Sequence, residues 1–155
     1  MPSISIRVVD PQGADALALL REAAADARAL YAELFTVVGR EPTNEPLSFG
    51  GTYLVAFEGS LPMGCGALRR IDDATVEVRR MYVLKSARRN GLARSILAVL
   101  ETEAIRMRYR TILLETGDRQ TPAMALYESC GFKRTAAFGG HVGDPTSVCY
   151  AKRLL

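Results

Sequence analysis

Six consecutive residues, Arg88, Arg89, Asn90, Gly91, Leu92 and Ala93, have the composition of an anion cradle. Upstream, Val76 to Val83 is rich in apolar residues and reads as a strand; downstream, Leu92, Ile96, Leu97, Leu100, Ala104 and Ile105 recur at helical spacing. The segment between them is therefore a short strand-to-helix turn. Gly91 and Ala93 put almost no side chain at the first helical turn, so a ligand can approach the main chain where unpaired N–H groups point outward. A helix start of this kind favours a phosphate or another anion, through its free donors and its dipole. Arg79, Arg80, Lys85, Arg88, Arg89 and Arg94 add local positive charge, which suits a phosphorylated ligand or a nucleic acid. Glycine and arginine also meet at helix starts that bind nothing, and composition alone leaves that alternative open.

Other chemistry is scarce. Cys65, Cys130 and Cys149 are odd in number, far apart and set in apolar or strand-like surroundings, and His141 is the one histidine. Neither a disulfide framework nor a metal-ligand spacing results, so inert thiols and no metal are expected. No helix-turn-helix, zinc finger or aromatic RNA platform accompanies the arginines, which argues against a nucleic-acid partner. At 155 residues, 48% hydrophobic and 24% charged, the expectation is one domain over 1–155 with a substantial core. No apolar run approaches the ~20 residues of a membrane span, and Met1 to Ser5 lacks the features of a signal peptide. A cytoplasmic protein without a membrane partner is expected.

The elements that must position these residues follow from periodicity. Ile4, Ile6 and Val8 alternate with polar residues as in a half-buried strand, and Ala14 to about Phe35 keeps a helical stripe, as one helix or two. Gly39 to Gly51, with Pro42, Asn44 and Pro46, must be loop, either a wall of an acceptor site or a connector. Tyr53 to Phe57 and Leu61 to Ile71 form a hairpin, in which Gly64 and Gly66 mark close packing or a bulge. The next strand, Thr75 to Leu84, changes phase: Val76 and Val78 set one face, Met81 and Val83 the other, with Arg79 and Arg80 at the changeover. One extra residue must be absorbed there, as in a β-bulge, unless the strand is buried on both faces. Thr111 to Thr116 is a short central strand, Pro122 to Gly131 a capped helix, and Phe132 to Thr135 and Ser147 to Arg153 two more strands. The fold class is α+β, with a mixed, centrally parallel sheet of about six to seven strands flanked by helices.

Arg88, Gly91 and Ala93 resemble the pyrophosphate signature of the GNAT superfamily of N-acetyltransferases, which reads Gln or Arg, x, x, Gly, x, Gly or Ala. Ala123, Leu126, Tyr127, Glu128, Gly131 and Phe132 resemble its segment Ala-x-x-Leu-Tyr-Glu-x-x-Gly-Phe. The likeness covers Val76 to Lys133 well, and Glu115, Thr116, Gly117, Phe138, Gly139, Asp144 and Ser147 resemble a small bacterial branch. It implies a three-layer α/β fold of that type and acetyl-CoA as cosubstrate. A gap between the fourth and fifth strands would admit the pantetheine arm, paired with the backbone at Met81, Tyr82 and Val83, whose N–H groups also suit an oxyanion. Arg88, Arg89, Asn90, Gly91, Leu92, Ala93 and Arg94 would hold the pyrophosphate. Gln120 stands where the family often has an asparagine that contacts the pantetheine.

The resemblance makes Tyr127 the acid that protonates the departing thiolate. It makes Glu77 the base, because Glu77 precedes Arg88 by the separation at which lysine-acetylating members carry a basic glutamate. Glu77 also reads as a solvent-facing strand residue or as a partner of Arg69 or Arg79. His141 lies in a glycine-rich loop, where a surface position is the simpler reading and an acceptor-pocket position the other. The implied function is acetyl transfer by direct attack of a primary amine, on a small-molecule or amino-acid-like acceptor. Alternatives are a protein or peptide N-acetyltransferase and a non-catalytic acyl-CoA sensor. Homodimers are frequent in the resembled superfamily.

Overall fold

The computed structural model describes residues 3–35 and 41–154. Its strands are β1 (Ile4–Val8), β2 (Thr52–Glu58), β3 (Leu61–Arg70), β4 (Thr75–Val83), β5 (Thr111–Gly117), β6 (Lys133–Thr135) and β7 (Ser147–Arg153). Its helices are α1 (Ala14–Leu30), α2 (Leu92–Arg106) and α3 (Thr121–Ser129). The stripe expected from Ala14 to Phe35 is thus one helix followed by a 3₁₀ turn, Ala32–Leu34. Of the loop expected from Gly39 to Gly51, Gly39 and Arg40 lie outside the described residues, and the rest is irregular as expected.

The seven strands form one sheet in the order β1-β2-β3-β4-β5-β7-β6. Only β4 and β5 run parallel, and α2 makes the crossover between them. Each face of the sheet carries its own core. On one face, Ile96, Leu97 and Leu100 of α2 are fully buried against Leu54, Leu68, Val76, Val78, Ile112 and Leu114, and Tyr127 and Phe132 extend the same cluster. Each such aliphatic side chain contributes about 2 kcal/mol by leaving water. On the other face, Ala16 and Leu19 of α1 cover Tyr53, Val55, Phe57, Cys65 and Ala67. The result is the expected α+β arrangement, helices on both sides of a mixed sheet.

The bulge falls where the phase change demands it. Ala67 pairs with Arg79 and Cys65 with Tyr82, so Gly66 alone opposes both Arg80 and Met81. Arg80 absorbs the extra residue in the left-handed region, at φ 59°. Beyond it, Met81 and Val83 turn to the α2 face that Val76 and Val78 occupied before it, while Tyr82 turns to the α1 face. Gly66 is required for packing: a Cβ there would come within 2.9 Å of Ile96 and Leu100 of α2 and 2.8 Å of Met81 Sδ.

Candidate active site

The start of α2 has no side-chain cap. Gly91 occupies the N-cap at φ 76°, Arg89 precedes it at φ 69°, and a Cβ on Gly91 would meet nothing within 4 Å. Its first-turn donors, from Leu92, Ala93 and Arg94, are thus not taken by a capping side chain, which is the geometry of an anion-binding helix start. Arg89 and Asn90 are exposed beside them. Arg88 and Arg94 are committed elsewhere. Arg88 Nε donates to Val83 O at 2.9 Å, and its guanidinium pairs with Asp26 of α1 at 2.8 Å. Arg94 donates to Ser129 Oγ at 2.7 Å and Cys130 Sγ at 3.2 Å, bracing α2 against the end of α3. The guanidiniums of Arg88 and Arg94 thus brace the framework around the helix start, while that of Arg89 is exposed beside it. Gln120 is exposed at the N-cap of α3 and caps nothing with its side chain.

Next to this helix start the sheet opens. The β4–β5 ladder runs from Thr75–Thr111 to Val78–Leu114 and stops there, although β4 continues to Val83 and β5 to Gly117. The bulge at Arg80 turns β4 away, so Arg79–Val83 and Glu115–Gly117 become the two walls of a cleft. Tyr82 lies on the α1 wall, where its hydroxyl donates to Asp26 at 2.7 Å and its ring carries the Arg88 guanidinium at 5.5 Å. That hydrogen bond first, and then Arg88, hold the Asp26 carboxyl below its usual range.

The acid–base groups gather at the fork. Glu77 is 4% exposed, which overturns the solvent-facing reading. Its Oε2 lies 3.3 Å from His141 Nε2, and its Oε1 lies 3.9 Å from the Arg69 guanidinium. The other imidazole nitrogen, Nδ1, is 3.5 Å from Glu115 Oε2, which also accepts from the Ser147 hydroxyl. Phe138 supports the ring edge-on at 5.1 Å between centroids. One imidazole thus spans two carboxylates, one from each strand that parts, an arrangement able to pass a proton from one to the other. His141 is half-buried at the edge of the cleft rather than wholly at the surface. The sequence offers His141 only as an alternative acceptor-pocket residue and carries no signal for this role at Glu115, because the loop before β7 meets β4 only through the sheet order.

Tyr127 is 5% exposed and packs against Phe132 and Tyr150, at 6.0 and 6.1 Å between centroids. Burial, and then nearby negative groups, push its phenol above the ordinary value of 10. Its hydroxyl makes no hydrogen bond among the described residues. Cys65 is equally buried, its thiol pushed up to about 11 by desolvation and directed at Arg80 O. Among the described residues no group of three or more His, Cys, Asp or Glu side chains is arranged to hold a metal ion.

Comparison with known proteins bears on this geometry. The model of the acetyltransferase (GNAT) family matches residues 22–132, a span that contains the bulge, the α2 start and Tyr127. N-acetyltransferase YsnE of Bacillus subtilis is 37% identical over 105 residues, 66% of this chain and 70% of that protein. IAA acetyltransferase of Azospirillum brasilense is 36% identical over 103 residues, 66% of this chain and 67% of that protein. Among solved structures, an acyl-CoA N-acyltransferase from Klebsiella pneumoniae superposes with a TM-score of 0.79 at 29% identity, covering 98% of both chains. A GNAT family acetyltransferase from Elizabethkingia anophelis with acetyl-CoA bound shares the fold, with a TM-score of 0.67 at 16% identity and 97% of both chains covered.

Proposed function

We propose, from the premise that this chain belongs to the acetyltransferase (GNAT) family, that it carries the acetyl group of acetyl-CoA directly to the primary amine of a small, amino-acid-like acceptor. The observation that carries this reading is the parting of β4 from β5 beyond Val78 and Leu114, with buried Glu77 at the fork and an uncapped helix start beside it. When bound, acetyl-CoA supplies an activated acetyl thioester. The residues suited to hold it are the main chain at Met81, Tyr82 and Val83 and the stretch Arg88 to Ala93, with Gln120 at the far rim. The open space at Gly91 and the missing cap fit a diphosphate.

An alkylammonium has a pKa of about 10, so the acceptor must lose a proton before it can attack. Glu77 takes that proton, and His141 stands between it and Glu115 to pass the proton outward. Main-chain N–H groups near Met81 to Val83, released from a neighbouring strand, are placed to stabilise an oxyanion without reorganising. The Tyr127 hydroxyl, kept protonated by burial, holds the proton that the leaving sulfur requires.

The test is release of coenzyme A from acetyl-CoA across a panel of amines and peptides. Amine-dependent release is expected, and Glu77→Gln should depress turnover mainly at low pH, where little amine is neutral without a base. A pH profile unchanged by Glu77→Gln removes Glu77 from the mechanism. Release no faster with any amine than with water removes the transfer reading.

A further inference from the structure

Beside Glu77, on the α1 face of the sheet, a pocket lies between β3, the bulged part of β4 and the loop that carries Asn44. Three arginines line it, Arg69, Arg79 and Arg80, facing one carboxylate, Glu45. Arg69 is engaged, 3.7 Å from Glu45 and 3.9 Å from Glu77. Arg79 and Arg80 have no carboxylate within ion-pair distance among the described residues. Arg79 is half-buried and Arg80 still reaches solvent, so two like charges stand side by side at the pocket with no carboxylate among the described residues to offset their repulsion. Burial, and then the charge of Arg79, depress the pKa of Arg80 accordingly.

Arg80 is also held in place. Its backbone sits at φ 59°, and its Nε donates to Asn44 Oδ1 at 2.9 Å. Asn44 is only 3% exposed and is itself anchored, donating to Pro11 O at 2.8 Å and to Tyr53 Oη at 3.3 Å. A buried amide thus fixes an arginine that meets no carboxylate among the described residues. The planar group that matches guanidinium forks is a carboxylate. Glu77 and Arg79 lie two residues apart on one face of β4, about 7 Å along the strand, a distance that a small amino acid can bridge.

Building on the acetyl-transfer reading, we propose that this pocket receives the acceptor's carboxylate, so that the substrates are free amino acids held at the acid end by Arg79 and Arg80 while the amine faces Glu77. The protein then selects amino acids over amines of the same size that lack the acid. A charge-assisted hydrogen bond contributes enough to separate the two classes by about tenfold or more.

The experiment compares α-, β- and γ-amino acids with their amides as acceptors, in the wild type and in Arg79→Gln and Arg80→Gln variants whose melting is checked first. The expected result is an acid-over-amide preference of about tenfold in kcat/KM. Either variant should erase most of it by raising KM for the acid, with KM for acetyl-CoA unmoved. Equal kcat/KM for acids and amides in the wild type overturns the carboxylate pocket and leaves acetyl transfer standing. If no amine is acetylated, the same amino acids are titrated into the coenzyme A-loaded protein. Saturable binding that Arg79→Gln abolishes then supports the pocket and removes the transfer reading, whereas no binding overturns both.

Discussion

At the scale of single residues, the site rests on groups whose surroundings differ more than their chemistry. Glu77 and Glu115 are both strand carboxylates, yet Glu77 is buried against Arg69 and His141 while Glu115 is also fixed by Ser147. Tyr127 is enclosed by two aromatic rings, and its phenol lies above the ordinary range, so it stays protonated through pH ~10. Activity should therefore show no alkaline loss at the usual tyrosine value, because the acid form persists above it. Tyr127→Phe keeps the packing and should lower kcat by more than about tenfold, the size of a general-acid contribution, with little change in melting. Near-normal kcat would return Tyr127 to a purely structural position. The type of Tyr127 and its place near a helix end were legible in the sequence, but the link from Glu77 through His141 to Glu115 was not. That link joins residues 64 positions apart, and no local pattern records it.

At the scale of elements, α1 is tied to the cleft wall by one carboxylate. Asp26 accepts from Tyr82 at 2.7 Å and pairs with Arg88 at 2.8 Å, so a helix from the first part of the chain braces the strand and turn that form the cleft. Its folded pKa lies below the value of 3.8 taken for the free group. The stability it contributes is therefore present above the unfolded pKa and is lost as pH falls through the folded one. Asp26 is partly exposed, which keeps the contribution to about 1 kcal/mol. Asp26→Asn should lower Tm by about 2–4 °C near neutral pH, and the gap should close below about pH 3. A gap of the same size at both pH values would show that the carboxylate charge is not what holds α1. The bulge belongs to this scale too. Its position was readable from the swap of apolar phase between Val78 and Met81, and Gly66 opposite it from its place inside a strand.

At the scale of the whole molecule, the parallel pair β4 and β5 lies near the middle of a sheet whose two faces are separately packed. The cleft opens between two walls that are each fixed on their far side, β4 by β3 and β5 by β7. A ligand seated there joins both halves of the sheet. Acetyl-CoA at a hundred times its dissociation constant should add ~2.7 kcal/mol, which raises Tm by about 5–10 °C for a chain of this size. Thermal denaturation followed with and without millimolar acetyl-CoA measures this directly. No shift, together with no heat on mixing, would remove the donor site.

What the sequence determined by itself was whatever is written locally: strand and helix periods, the glycine-bearing helix start, the phase change in β4 and the two segments that resemble the GNAT superfamily. These are properties of neighbouring residues, and backbone geometry converts them to structure with little help from afar. The tertiary structure alone decided what each arginine touches. Arg88, Arg79 and Arg80 look alike in sequence, yet Arg88 pairs with Asp26 of α1 while Arg79 and Arg80 meet no carboxylate among the described residues and Arg80 is held by the Asn44 amide instead. An ion pair between distant segments depends on which surfaces the fold brings within about 4 Å, and residue type alone does not specify that distance.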